Sequence, residues 1–201
     1  EEWEIVFLSS VGAMKRGPFG GALKKNIFVD SGYKVYEQKN AIYNNFDLGK
    51  YFITKEKYFE MRDFSINEGD ILISCSGTLG KIAIVPNNFK EGIINQALMK
   101  ISVKADWSIQ YLKYLLEAEA IQSRMFATAP GSAMKNIAAM ATIRTISIAK
   151  PVLKEQKDIA STLLSIDEKM VMTKKNKEKL IQLKKGLMSD LLSGRIRVES
   201  K

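Results

Sequence analysis

The side chains in this sequence that could do chemistry are cations, amides and aromatics rather than acid–base pairs. Lys34, Tyr36, Gln38, Lys39, Asn40, Tyr43 and Asn44 crowd one short segment. Charges that neutralise phosphates and side chains that hydrogen-bond base edges are the two kinds of group a nucleic-acid reader needs. A second group, Lys15 and Arg16 with Lys24 and Lys25, flanks a glycine-rich loop, and the turn-rich run from Lys15 to Gly21 is expected to be irregular. There Gly20 and Gly21 would admit a phosphate close to the backbone, and Phe19 would pack on a sugar or a thymine methyl. Ser76, Thr78 and Lys81 surround a glycine-containing loop and are expected to contact phosphate, with Asn95 and Gln96 structural. Gly131, Ser132, Lys135 and Asn136 either hold a phosphate at the start of a short helix or simply cap it.

Other chemistries fit poorly. The sequence has no histidine, which removes the commonest general base, and a single cysteine, Cys75, which has neither a disulfide partner nor a histidine to activate it. Neither a zinc site nor a thiol enzyme is expected, and no metal or cofactor. There is no glycine-rich cofactor loop after a strand, no Asn-Pro-Pro-Tyr adenine site and no Gly-x-x-x-x-Gly-Lys phosphate loop. No apolar run approaches the roughly 18 residues of a membrane span and nothing resembles a signal peptide, so a cytoplasmic protein without membrane contact is expected.

Composition agrees with a polyanionic partner. The chain has 201 residues, with 31 Lys and Arg against 22 Asp and Glu, a formal +9. The excess is concentrated at the end: residues 150–201 hold 13 basic and 7 acidic residues, residues 1–149 only 18 and 15.

The elements that must position these residues read as α+β, a mixed α/β domain over 1–150 and a long helix within 151–201. Trp3 to Phe7 suits a strand. Thr54 is placed to cap a helix from Lys55 to Met61, and Ile71–Ser74 with Lys81–Val85 form a hairpin. Ile93 to Val103 reads as another strand region, Ser108 opens an amphipathic helix running to Phe126, and Ile143 to Ala149 alternates like a closing strand. Pro151 then disfavours helix at Lys150 and sets the boundary.

From Lys154 to Leu192 there is no proline and only Gly186 among glycines, so one helix of about 40 residues, roughly 60 Å long, is predicted. Ile159, Leu163, Ile166 and Met170 form one stripe at coiled-coil spacing, and Leu180, Leu183, Leu187 and Leu191 a second. The polar run Thr173 to Lys177 lies between them, and either an unbroken coiled coil or a helical hairpin turning there satisfies the pattern.

The order of these features resembles the specificity subunits of type I restriction-modification systems. The resemblance rests chiefly on Lys150-Pro151-Val152-Leu153-Lys154-Glu155-Gln156, Ile159-Ala160, Ile166-Asp167, Leu183-Lys184-Lys185-Gly186-Leu187-Met188 and Leu191-Leu192-Ser193-Gly194-Arg195-Ile196. Gly69–Ser74, Gly77–Lys81, Ile94-Asn95-Gln96 and Gly131-Ser132 fit that family's target-recognition domain in the same order.

The resemblance implies a non-catalytic subunit that binds double-stranded DNA and directs methyltransferase and, through them, restriction subunits to a bipartite site. Members of the family usually carry two recognition domains and two such helices, whereas one of each is found here. The resemblance therefore implies a half-subunit, natural or truncated, that pairs through its long helix as a homodimer. The competing reading is a coiled-coil adaptor whose globular part binds protein instead of DNA.

Overall fold

The computed structural model describes residues 2–126 and 137–198, in two compact units, 1–158 and 159–201. In chain order the elements of the first unit begin with β1 (Glu4–Phe7), β2 (Gly12–Arg16), β3 (Tyr33–Tyr36), α1 (Gln38–Ile42), β4 (Phe52–Ile53) and α2 (Lys55–Glu60). They continue with β5 (Ile71–Ser74), β6 (Ile82–Ile84), β7 (Gly92–Ile94), β8 (Leu98–Val103), α3 (Ile109–Glu117), α4 (Glu119–Met125), α5 (Met140–Arg144) and β9 (Ser147–Lys150). One helix, α6 (Leu153–Leu192), then crosses from the first unit into the second. The architecture is α+β.

The first unit holds a four-stranded sheet in the order β2-β8-β5-β6, a three-stranded sheet β4-β3-β7 and a β1-β9 ribbon. The pleat explains how the three-stranded sheet separates two cores. Tyr36 and Ile94 face a cluster with Leu72, Ala83 and Leu98, while their neighbours Val35 and Ile93 face Ile53, Tyr58 and Met61. β5 is buried along its whole length, as a central strand covered on both faces must be.

Several expectations are met. β5 and β6 pair as the expected antiparallel hairpin, and Thr54 caps α2 by accepting from the Lys57 amide at 3.3 Å. Others are corrected. Lys15 and Arg16 are not irregular: they close β2, opposite Lys100 and Met99 of β8. The Ile93–Val103 region is two strands, because Asn95 Oδ1 accepts from the Ala97 amide and turns the chain between β7 and β8. The helix after Ser108 breaks at Ala118, whose extended backbone (φ −61°, ψ 135°) separates α3 from α4. Ile143 and Arg144 belong to α5, so the closing strand begins only at Ser147 and pairs with β1.

Gln156 explains why a Glu-Gln pair follows the proline. Its buried amide accepts from the Ser108 amide at 2.8 Å and donates to the Pro151 carbonyl at 2.9 Å, tying the first turn of α6 to the start of α3. Trp3 Nε1 donates to Glu155 at 3.1 Å beside it. Within the second unit α6 runs unbroken through Thr173–Lys177, so the helical hairpin is excluded. Gly194, at φ +72°, ends the helical path in the left-handed region that suits glycine.

Candidate nucleic-acid interface

Three turns leave one end of the four-stranded sheet. β2 and β5 both run antiparallel to β8 and are therefore parallel to each other, so the loops after them depart where β8 begins. The Gly17 amide donates to the Leu98 carbonyl at 2.8 Å and the Cys75 amide to the Ala97 carbonyl at 2.7 Å. The parallel pair β3 and β7 brings α1 to the same end, where the Asn95 amide donates to the Tyr36 carbonyl at 2.9 Å. Only glycine fits at position 17, because a Cβ there would lie 1.8 Å from the Asn95 carbonyl oxygen. That close approach anchors the root of the loop bearing Phe19.

Where β2 ends, Lys15, Arg16, Phe19, Phe64, Met140 and Arg144 line a concavity of about 270 Å³. The Arg16 guanidinium sits 5.0 Å from the centre of the Phe19 ring and Lys15 Nζ 5.1 Å from that of Phe64. Phe19 is 69% exposed, unusual for so large an apolar side chain. Arg16 Nε is buried and meets no hydrogen-bond partner among the described residues. Lys15 pairs with Asp63 at 3.1 Å, but both groups are well exposed, so solvent weakens the pair and the cation remains available. A guanidinium braced against a ring can bond in the plane of a phosphate or of a guanine edge. Burial pushes the thiol of Cys75, which follows β5, up to about 12 and keeps it protonated.

The predicted residues fall into different surroundings. Gly20 and Gly21 lie in a short 3-10 turn, Gly20–Leu23, followed by the exposed Lys24 and Lys25. Ser76 and Thr78 are exposed at the tip of the β5–β6 loop, with Lys81 exposed at its far side. Ser74 rather than Ser76 organises that loop, donating to the Thr78 carbonyl and accepting from the Lys81 amide. Gln38 lies against Gly77, so α1 and the hairpin loop share a surface that their sequence separation conceals. Ser132 and Lys135 lie outside the described residues.

The segment from Lys34 to Asn40 does not form one continuous reading surface. Lys34 is buried, with Nζ donating to the Phe46 carbonyl at 2.6 Å, and desolvation lowers its pKa. Tyr36 is buried and donates to the Lys90 carbonyl, its pKa raised by burial to about 12. Asn40 uses its whole amide internally, accepting from the Glu37 amide and donating to the Asn45 and Leu48 carbonyls. Gln38 and Lys39 remain half-exposed, and Lys39 is paired with Glu37. The sequence reading also missed Arg144, Phe64 and Met140. They reach the Lys15–Phe19 concavity from distant segments, and no local pattern marks them.

Cations and aromatic side chains thus meet at one end of the first unit's sheet, and the helix of the second unit exposes apolar side chains. The chain belongs to the type I restriction modification DNA specificity domain family, whose model matches residues 1–182. It is 27% identical, over its whole length, to the type I restriction enzyme MjaVIII specificity subunit of Methanocaldococcus jannaschii, of which it covers 48%. A putative type I restriction enzyme MjaX specificity subunit from the same organism is 32% identical over 67% of the chain, covering 31% of that protein. The chain thus spans about half the length of the relative it matches end to end. Among solved structures, the HsdS subunit from Thermoanaerobacter tengcongensis shares the fold with a TM-score of 0.64 at 17% identity, over 94% of this chain and 44% of that one. A chain from a study of type I R-M complex assembly and conformational transition gives 0.67 at 16%, over 94% and 45%. No described helix is long and apolar enough to cross a membrane.

Proposed function

We propose that this chain recognises a DNA sequence on behalf of a type I restriction-modification enzyme and leaves methyl transfer and cleavage to separate subunits. Residues 1–150 act as the target-recognition domain. Residues 151–201 join two recognition domains and bind methyltransferase subunits, which in turn carry restriction subunits. The observation that carries this reading is the sheet end where Lys15, Arg16, Arg144 and Phe19 meet, with Gln38, Ser76 and Thr78 on neighbouring turns. The cations supply phosphate contacts and positional grip, and Arg16, Gln38 and Phe19 read base edges. Lys24, Lys25, Lys39 and Lys81 extend the phosphate-binding rim.

The second recognition domain comes from a second copy, paired antiparallel through α6. Ile159, Ile166, Thr173, Leu180 and Leu187 recur every seven residues, and so do Leu163, Met170, Lys177, Lys184 and Leu191. The two apolar stripes are therefore one heptad seam in a single phase, with polar residues at Thr173, Lys177 and Lys184 and with Leu183 beside it. Most of its apolar members are 39–64% exposed in the single chain. A parallel pair in register would set Lys177 on Lys177 and Lys184 on Lys184.

An antiparallel pair with its twofold axis between Thr173 and Lys177 instead matches Ile159 with Leu191, Leu163 with Leu187, Met170 with Leu180 and Thr173 with Lys177. Among the apolar members only Ile166 meets a lysine, Lys184, which is next to Asp167 of the other copy. Two identical domains related in this way present the same surface in opposite orientations, so the DNA site is an interrupted palindrome.

The decisive test is methylation mapping in cells expressing this chain with a methyltransferase subunit. Symmetric half-sites around a non-specific spacer are expected, and two dissimilar half-sites would refute the homodimer. Binding to random duplex should weaken steeply with salt through counterion release. Affinity indifferent to salt would instead favour an adaptor that binds protein.

A further inference from the structure

Of the three cations that line the concavity where β2 ends, Arg16 is the one without a polar partner among the described residues. Lys15 pairs with Asp63 at 3.1 Å, and Arg144 leans on the Met14 carbonyl at 3.5 Å. Arg16 makes no hydrogen bond or ion pair with a described residue. Its Nε is buried, while Nη1 and Nη2 are not, so the two-pronged edge of the guanidinium faces outward. Phe19 fixes the plane of that edge: the guanidinium carbon lies over the ring, 5.0 Å from its centre.

The backbone that carries Arg16 is equally fixed. Arg16 stands opposite Met99 in the β2–β8 ladder, and the amide of the next residue, Gly17, is tied to the Leu98 carbonyl at 2.8 Å. A long side chain held at its root and along one face loses less freedom when it binds. Reading a base needs such a fixed fork, whereas a flexible, exposed chain such as Lys24 or Lys25 suffices to grip a phosphate. The walls also suit a base better than a phosphate. Met14, Pro18, Phe19, Phe64 and Met140 supply apolar surface, and Asp63 sets a carboxylate beside Lys15. In the major groove guanine presents two acceptors side by side, N7 and O6, and thymine presents its C5-methyl on the same groove edge.

We propose that the Arg16 fork donates to N7 and O6 of a guanine and that Phe19 meets the methyl of an adjoining thymine, so that the half-site read by this domain contains a guanine next to a thymine. The inference rests on the DNA-recognition reading above and narrows it from a set of candidate contacts to one base and its neighbour. Arg16 is thereby the specificity-determining residue of the concavity, and Arg144 grips a flanking phosphate. The homodimer plays no part in this assignment, because every residue it uses lies in the first unit.

Selection from a randomised duplex library by the full chain in complex with a methyltransferase subunit tests the assignment. The consensus should contain a fixed guanine flanked by a thymine. Arg16→Ala should lower the preference for that guanine roughly tenfold to a hundredfold and leave the other positions as they were. Arg16→Lys should keep part of the preference, since lysine also donates to N7 and O6, and Phe19→Ala should relax the thymine alone. Replacing the guanine by 7-deazaguanine, which lacks N7, probes the same contact without altering the protein. It should weaken binding by the parent chain about tenfold and by the Arg16→Ala chain not at all. If Arg16→Ala weakens all sequences equally and lowers the salt slope by about one, Arg16 grips a phosphate, and the guanine assignment is overturned while DNA recognition stands. A consensus without guanine, or a 7-deazaguanine duplex bound as tightly as the unmodified one, overturns it equally. If the parent complex selects no sequence at all, the DNA-recognition reading fails and the assignment with it.

Discussion

Residues 1–158 and residues 159–201 meet the same physical demand in opposite ways. In the first unit the large apolar side chains close on one another: Leu72, Ile73, Ile93, Ile94 and Leu98 are fully shielded. In the second, Met170, Leu180, Leu183 and Leu187 are about half exposed or more on a helix that buries nothing comparable. Helices in proteins gain most of their stability from packing an apolar face rather than from backbone propensity. The contrast teaches that the first unit covers most of its own large apolar side chains, whereas the second leaves its apolar stripe exposed in the single chain.

The largest effect that would break this comparison is in the core. Leu72→Ala should destabilise the first unit by about 2–5 kcal/mol in urea titration, as a cavity in a fully packed site does. A change below about 1 kcal/mol would mean that the sheet core is not the closed structure described. Leu180, Leu183 and Leu187 changed together to Asp should abolish self-association while leaving the urea midpoint of the first unit in place. A parent chain already monomeric at micromolar concentration, measured by sedimentation, would remove the reason for reading the seam as an interface.

The two candidate DNA-contacting segments sharpen the comparison within the first unit. Arg16→Ala should reduce discrimination between target and random duplex by about 1–3 kcal/mol with little loss of stability, and Arg144→Ala should flatten the salt dependence. Asn40→Ala should do the reverse: it removes the partner of one backbone amide and two carbonyls, costing about 1–3 kcal/mol of stability and leaving DNA discrimination intact. Equal effects of Arg16→Ala and Asn40→Ala on DNA binding would erase the distinction between a surface segment and a buried one.

The smallest effect concerns pH. Burial raises the Cys75 thiol from 9.0 to about 12, so the unfolded chain releases this proton first. Its contribution to stability is intact below pH 9 and is lost as the pH climbs toward 12. At pH 8 the thiol should react with a disulfide reagent only at the rate of unfolding. Prompt labelling of the native chain would contradict the burial of this strand end.

Much of the architecture could be read directly from the order of residues, because it depends on local periodicity. The heptad steps from Ile159 to Leu191, the absence of proline after Pro151 and Gly194 at the end are enough to predict a helix of this length. The β5–β6 hairpin and the Thr54 cap are likewise short-range patterns. Burial and convergence are not local. Lys34, Tyr36 and Asn40 have the composition of a reading surface, yet β3 carries the first two into the sheet and the third serves as an internal brace. Residues at the end of β2 acquire Phe64 and Arg144 as neighbours only when distant segments pack beside it. Sequence by itself determined the long helix, its heptad spacing, the β5–β6 hairpin and the cationic character, since each is set by neighbours along the chain. Which cations are buried and which stay exposed was decided only by the tertiary structure, because desolvation and contact depend on strands that meet across large separations in sequence.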